Sequence, residues 1–348
     1  PKSLHELRDA VRGARKIRVV GSGHSFSGLV PTDDTMFRLL ELNRILSVDP
    51  ERQLVKVEAG IKLYDLNRQL WRMGYCLPSL GDIDRQAIGG LASTATHGTG
   101  LAWGSTSGAA SIHGMELVLA NGDLLSLSAD RPADARLLAA ARVSLGSLGV
   151  IYSITYKVER AHNLEQVTRV MSLAEAMDPR HFRDNDHYEF FYFPYTDKAQ
   201  GVFRNKTNKP STIRAGETFF NEIFVENMLL GLIMGVTSKR QLPKIMKFLA
   251  SQVGEGTVVG PSYDIMTTTR RVKFVESENA VALTDYRQGV AQYLACVEDF
   301  AARPRKEQFF ASFPFEVRFL GEDQGTMLSP AQGSEKCYLS INLHTKFK

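Results

Sequence analysis

"RVVGSGHSFSG", Arg18–Gly28, is the stretch on which the reading of the fold turns. An apolar run from Ile17 to Val20, broken only by Arg18, feeds straight into Gly21-Ser22-Gly23. A strand that runs into a glycine turn is how dinucleotide folds begin, because glycine lets backbone N–H groups come close to a phosphate. Two such forms fail on inspection. A Rossmann turn needs Gly-x-Gly-x-x-Gly, and Phe26 takes the last glycine position. A P-loop needs Gly-Lys-Ser/Thr, and Leu29 follows Gly28. A histidine, His24, stands in the middle of the loop.

Working outward, "SLHELRDAVRGA" places Leu4, Leu7, Val11 and Ala14 on one helical face, with Ser3 as N-cap and Glu6 at the capping-box position. "TMFRLLELNRILSVDPERQLVKVEAG" alternates as strands around turns at Asn43 and Asp49-Pro50. "IKLYDLNRQLWRMG" predicts a helix closed by Gly74. "GMELVLANGDLLSLSA" predicts a hairpin turning at Asn121-Gly122. "ADARLLAAARVSLGSLGVIYSITYKVERA" reads as helix, glycine turn and strand. No βαβ rhythm accompanies these elements. From about Ala161 the texture changes to aromatic strand-like runs, "HYEFFYFPYTD" and "QFFASFPFEVRFL", separated by helical stretches such as "YRQGVAQYLACVEDFAA". The expected architecture is α+β in two domains, residues 1–160 rich in glycine turns and residues 161–348 built on an aromatic antiparallel sheet flanked by helices. No internal repeat is present.

The bulk properties narrow the function classes. With 348 residues, 43% apolar composition and 19 Phe, the chain can bury full-sized cores and does not read as disordered. A formal charge of +4, with no basic run interleaved with aromatics, argues against nucleic-acid binding. Cys76, Cys296 and Cys337 lie far apart and form no CxxC, so neither a metal site nor a disulfide framework is implied, and a reducing, cytoplasmic setting fits best. No secretory segment opens the chain, and the Pro1-Lys2 start implies that the native N-terminus lies upstream. The longest apolar run, Met228–Val236, has about half the length a bilayer span needs and is expected to be a buried helix, with membrane-surface attachment as the alternative. Oligomeric state is not encoded in any feature of the sequence.

Three glycine-rich segments carry the chemistry: Gly21–Gly28, "GGLASTATHGTG" (Gly89–Gly100) and "GSLG" (Gly146–Gly149). Their backbone donors and Ser/Thr hydroxyls suit a large phosphorylated cofactor. Together "VVGSGHSFS", "LPSLGDIDRQAIGGLASTATHGTG" and "SLGSLGVI" resemble the FAD-linked oxidases of the vanillyl-alcohol oxidase type, in the sugar-1,4-lactone oxidase branch that includes gulonolactone, arabinonolactone and alditol oxidases. The resemblance is close over residues 1–160 and resumes at Glu316–Pro330.

That resemblance implies a two-domain PCMH/VAO-type fold, a bound FAD and a substrate (cap) domain. The histidine of the GHS motif is the residue that bonds covalently to the flavin 8α-methyl, and His24 matches it. Gly21, Ser22, Gly23 and Ser25 are then expected to line the pyrophosphate. Ser79, Gly89, Gly90, Ser93, Thr96, His97, Gly98 and Thr99 would surround the phosphates and flavin edge, and Gly146, Gly149, Val150 and Ile151 the adenine or ribose. Gly81 falls at the oxygen-gatekeeper position, where a small residue leaves room for dioxygen.

In "PFEVRFL", Glu316 and Arg318 alternate at i and i+2 and so share one face of a strand, while Phe315, Val317 and Phe319 share the other. By itself this reads first as a surface or buried ion pair; the resemblance implies a substrate-pocket wall, with Arg318 stabilising negative charge and Glu316 orienting it. Ser340, Asn342 and His344 alternate along "YLSINLH" and Asp82 lies in "LGDID"; all four are candidate substrate contacts. The family carries a further C-terminal segment, HWGK, whose lysine sits in the active site. This chain stops at Lys348 without it and is expected to be a portion of a longer protein.

The implied reaction is hydride transfer from a carbinol of a sugar-1,4-lactone to FAD, with dioxygen reduced to hydrogen peroxide. Alternatives are an alditol, nucleoside or glycoside alcohol oxidase, a dehydrogenase passing electrons to a cytochrome or quinone, and a noncatalytic carbohydrate- or nucleotide-binding protein on the same scaffold. The partners called for are a small carbohydrate substrate and dioxygen, with no metal and no nucleic acid.

Overall fold

The computed structural model describes residues 1–25, 27–213, 238–268, 274–304 and 307–344. The expected helix over Met228–Val236 and the side chain of His344 lie outside them. The chain divides into two compact units, Pro1–Gly98 with Trp103–Ala161 and Glu322–Gly333, and Thr99–Ala102 with His162–Gly321 and Ser334–Lys348.

In the first unit, α1 (Leu4–Gly13) buries Leu7 and Val11, and the Ser3 hydroxyl accepts from Glu6 N–H. The reciprocal half of the capping box does not form, because the Glu6 carboxylate takes the Lys2 amide instead. β1 (Ile17–Val19) pairs in parallel with β2 (Thr35–Phe37). β5 (Tyr75–Cys76) makes a short antiparallel pair with β9 (Glu159–Arg160). β3 (Ile45–Asp49), β4 (Leu54–Glu58), β6 (Ile112–Val118), β7 (Leu124–Ser128) and β8 (Val150–Lys157) form one sheet in the order β3-β4-β8-β6-β7. Every pairing in it is antiparallel. This excludes the parallel sheet that a Rossmann site would require. Gly122 turns the β6–β7 hairpin at φ 79°, and Gly74 closes α2 (Leu63–Arg72) at φ 80°, both in the left-handed region that glycine enters without a Cβ clash. α3 (Ile88–Ser93) and α4 (Ala135–Arg142) complete the elements used below.

The second unit is a seven-stranded antiparallel sheet. Its strands are β10 (Asn163–Ser172), β11 (His187–Tyr192), β12 (Lys198–Thr207), β13 (Gly256–Pro261), β14 (Phe274–Ala282), β15 (Phe315–Leu320) and β16 (Lys336–His344), in the order β13-β10-β12-β11-β15-β16-β14. One face carries the aromatic core: Tyr188, Phe190, Phe203, Val317, Phe319 and Leu339 pack with Phe182, Tyr286 and Val290. Phe182 stacks on Phe319 with ring centroids 4.3 Å apart. Burial of each such ring is worth about 1.5–3 kcal/mol, with roughly 0.5–1.5 more for a well-placed aromatic pair. Tyr286–Ala302 forms the helix expected from "YRQGVAQYLACVEDFAA" and covers this core through Tyr286 and Val290. The run "QFFASFPFEVRFL" is strand only from Phe315, because Pro314 has no N–H to give to a ladder.

Two short segments join units that a linear reading of the chain does not assign them to. Thr99 donates to the Phe319 carbonyl (3.1 Å) and to the Tyr188 carbonyl, and the Gly100 amide donates to Phe319 O at 2.7 Å. Conversely, the Asp323 carboxylate accepts from Ser105 Oγ at 2.5 Å, and Arg142 Nη1 donates to the Gly325 carbonyl at 2.8 Å. Both contacts bridge long stretches of sequence and follow no local pattern.

Candidate FAD and substrate sites

The three glycine-rich segments converge in the first unit. After β1, the Val20 amide still bonds to Phe37 O, but the amides of Gly21 to Ser25 have no backbone partner among the described residues. A Cβ added to Gly21 would lie 3.8 Å from Ala87 Cβ and 4.0 Å from Gly90 Cα, so the first segment rests on the second. The Leu145 amide donates to Ser93 O at 3.2 Å, which joins the third. Gly23, Gly90 and Gly146 face space: a Cβ on any of them would meet no atom within 4 Å. Gly23 (φ 74°) and Gly146 (φ 74°) hold left-handed conformations.

A lysine that the sequence reading did not select stands at this loop. Lys62 Nζ donates to Ser22 Oγ at 2.5 Å, and Ser22 Oγ donates to Arg85 O at 2.7 Å. Burial and then the charge of Arg38 lower the Lys62 pKa. His24 is solvent-exposed, yet the protein atoms that partly surround it, and then the Lys62 charge, lower its pKa below the ordinary 6.5. Both causes favour the neutral imidazole over the charged one.

Behind the loop, Ser79–Gly81 runs against Thr96–Gly98. His97 is buried, and its Nδ1 lies 3.0 Å from Gly98 O, so Nδ1 carries the proton. Ser79 Oγ is buried without a hydrogen-bond partner among the described residues. Ser93 Oγ is engaged with Gly89 O. The Thr99 hydroxyl is spent on the second unit's sheet rather than turned to the glycine loops, since two backbone carbonyls there take it. Val150 and Ile151 are buried in β8, opposite Val118 and Leu117. The room expected beside Gly81 is filled: a Cβ there would meet Thr96 Cγ2 at 3.0 Å and His97 O at 3.2 Å. Glycine at 81 thus permits close packing of two loop strands. Asp82 follows it, half-buried, in the first unit.

The second unit presents a different kind of site. The face of its sheet opposite the aromatic core is polar and buried. Glu316 and Arg318 are 2% and 8% exposed, and Arg318 Nη2 and Nε reach Glu316 Oε1 at 2.5 and 3.0 Å. The ladder places Glu189 of β11 directly across from Arg318, and Ser340 of β16 across from Glu316. Arg318 Nε lies 3.3 Å from Glu189 Oε2, and Arg204 Nη2 lies 2.9 Å from Glu189 Oε1. Ser340 Oγ donates to Glu276 of β14. Asn342 is buried, and its Oδ1 has no partner among the described residues. Glu316, Arg318, Ser340 and Asn342 therefore belong to one polar surface, as their alternation implied. Glu189, Arg204 and Glu276 belong to it too and were not foreseen. The signal was present in "HYEFFYF", where His187 and Glu189 alternate with Tyr188 and Phe190, but the aromatic residues dominated that run.

Residues 154–348 match the model of the D-arabinono-1,4-lactone oxidase family. The chain belongs to that family. Residues 1–128 match an FAD-binding domain, so this arabinonolactone-oxidase-family chain is an FAD-binding oxidoreductase. It is 36% identical over 351 residues to an L-gulono-1,4-lactone dehydrogenase of Mycobacterium tuberculosis, a match covering 98% of this chain and 78% of the relative. It is 30% identical over 359 residues to the L-gulonolactone oxidase of Bos taurus, covering 100% of this chain and 78% of the relative. Its fold is similar to cholesterol oxidase of Brevibacterium sterolicum, with a TM-score of 0.81 and 17% identity over 100% of this chain and 76% of the other. The α+β, two-domain fold of the vanillyl-alcohol oxidase type is thus shown.

The residues present fit FAD. A diphosphate takes N–H donors and a cation, and the Gly21–Ser25 amides, without a backbone partner among the described residues, stand beside Lys62, which donates to Ser22 Oγ; buried Ser79 Oγ, also without a partner among the described residues, is a further donor of the right kind. Among the described residues no helix is long and apolar enough to cross a membrane.

Proposed function

We propose that this chain oxidises a carbinol of an aldono-1,4-lactone of the gulono-, galactono- or arabinono- type. The observation that carries this reading is the buried Glu316–Arg318 pair on β15, set on a polar sheet face inside the region that matches the lactone oxidase family. Bound FAD supplies the two-electron acceptor for the hydride. The protein does the rest. Glu316, Ser340 and Asn342 hydrogen-bond the sugar hydroxyls, and Arg318 stabilises negative charge as the carbinol oxygen gives up its proton to a base or to water. His344 and Asp82 are further substrate contacts in this reading. Gly21, Ser22, Gly23 and Ser25 hold the diphosphate, supported by their unbonded amides. Ser79, Gly89, Gly90, His97 and Gly98 line the flavin side, and Gly146 and Gly149 the adenosine side.

His24 bonds covalently to the flavin in this account. Support comes from its imidazole, biased toward the neutral form and exposed at the tip of the phosphate loop. The three cysteines are free, which fits a reducing compartment. The electrons pass to dioxygen, giving hydrogen peroxide. A dehydrogenase reading is favoured instead by the crowding at Gly81 and by the name of the mycobacterial relative. One experiment addresses substrate and acceptor together: purified, flavin-loaded protein is given aldonolactones and alditols, and oxygen uptake, peroxide and flavin bleaching are followed. Peroxide in one-to-one yield with oxidised lactone is the expected result. Bleaching without peroxide would establish the dehydrogenase, and bleaching by alditols alone would sink the lactone reading.

A further inference from the structure

The polar face of the second unit's sheet holds a row of ions that the proposed reaction uses only at one end. Gln166 on β10 accepts from Arg204 Nε at 2.8 Å; Arg204 on β12 pairs with Glu189 on β11 at 2.9 Å; Glu189 pairs with Arg318 on β15 at 3.3 Å; Arg318 pairs with Glu316 at 2.5 Å. The row crosses four neighbouring strands, and its four charged groups alternate in sign. All four are buried.

Strand cohesion does not call for such a row. The same strands are joined by unbroken antiparallel ladders, and their other face packs through Tyr188, Phe190, Val317 and Phe319. Replacing a buried ion pair by apolar groups of similar size is often neutral or stabilising, so charge retained at these positions points to orientation rather than adhesion. The geometry says what is oriented. Glu189 divides its two oxygens between two guanidinium groups, one contact falling on Arg318 Nε. Arg318 turns both Nε and Nη2 to Glu316 Oε1, and Glu189 Oε2 lies 3.3 Å from the same Nε, so carboxylates from two neighbouring strands hold the guanidinium against turning about its last bonds.

We propose that Glu189, itself held by Arg204, is the positioning residue for Arg318: it fixes the plane of the guanidinium and shares its charge, so that Arg318 meets the substrate oxygen already oriented. This deepens the reading of Arg318 given above and rests on it. Glu189 need touch neither substrate nor FAD. Arg204 acts on Arg318 only through Glu189.

The test compares flavin-loaded wild type with Glu189→Gln, which is isosteric, Arg204→Gln, which removes the charge and shortens the side chain, and the double variant. Each is mixed anaerobically with an aldonolactone and, separately, an alditol, and the limiting rate of flavin bleaching and the apparent substrate Kd are read. Glu189→Gln should slow bleaching at least tenfold while Kd moves less than threefold. Arg204→Gln should slow it in the same direction, and the double variant should be no slower than Glu189→Gln alone. Wild-type bleaching rates per bound flavin, accompanied only by a lower Tm, would overturn the inference and leave the row a strut. Multiplying losses in the double variant would overturn the relay through Glu189. Should Glu189→Gln not fold, Glu189→Asp keeps the charge but draws it back by one methylene; it should bleach slowly, and a normal rate would overturn the proposal. Wild type that is bleached by the alditol alone sinks the lactone reading, and Glu189 is then judged on the alditol data. Wild type bleached by neither sinks both.

Discussion

Gly98 approaches Leu80 so closely that a Cβ on residue 98 would stand 2.1 Å from the Leu80 carbonyl oxygen. The obstructing atom is backbone, so no side-chain rotation relieves it. Gly98→Ala must therefore push Thr96–Gly98 away from Ser79–Gly81. The expected outcome is a loss of about 1–3 kcal/mol of stability, the usual cost of overpacking, together with weaker FAD retention. Chemical denaturation and the flavin-to-protein absorbance ratio after gel filtration check it.

His24→Ala tests the covalent link without emptying the site. The diphosphate donors of the loop are backbone groups and persist, so the variant should still bind FAD. After acid precipitation the yellow colour should leave with the supernatant, whereas the wild-type pellet stays yellow and its His24 peptide gains the flavin mass. A colourless wild-type pellet would remove the covalent bond from this account.

Arg318→Lys keeps the charge and loses the fork. An ammonium on a flexible stem cannot hold Glu316 and Glu189 together through Nε and Nη2 as the guanidinium does. Loss of one oriented donor to a developing oxyanion is worth on the order of 10² to 10³ in rate, and kcat/KM should fall by that much. Steady-state kinetics against the best substrate from the lactone and alditol panel provide the measure.

Acidification should weaken the fold through His187. This imidazole is buried and its pKa lies below 6.5; burial is the main cause, the Thr99 carbonyl opposes it, and Arg204 adds to it. Because the folded pKa is depressed, the unfolded chain takes up its proton first as pH falls. Stability is therefore unaffected by His187 above about pH 6.5 and is lost below it, by roughly 1.4 kcal/mol per pH unit until the folded form also protonates. His187→Asn should flatten the slope of unfolding free energy between about pH 6.5 and 5. An unchanged slope would show that other groups set it.

Much of the fold was legible because local rules and tertiary structure agreed. Ser3, Gly74 and the Asn121-Gly122 turn stand where capping and turn chemistry place them, and the absence of βαβ rhythm matched an antiparallel sheet. The polar wall was legible in part, since period-two alternation put Glu316 with Arg318 and Ser340 with Asn342. Glu189 and Arg204 were hidden because strand register, which brings β11 and β12 beside β15, is a long-range property. Thr99 stands in the sequence among phosphate-loop residues, while its hydroxyl bonds to the Phe319 carbonyl, 220 residues away. Lys62 was passed over because it lies outside every glycine-rich motif, and only the approach of Ser22 reveals it.

The return of Glu322–Gly333 to the first unit sets an order of events during synthesis. When the ribosome has reached Ala161, Ser105 and Arg142 have been made but the aspartate and the carbonyl that engage them have not been translated. The unit that carries the glycine-rich loops is thus completed by residues translated after β10–β15 of the intervening sheet. A fragment cut after Ala161 lacks the strand of chain that locks it, and a flavin-binding module taken from this protein has to carry that later segment with it.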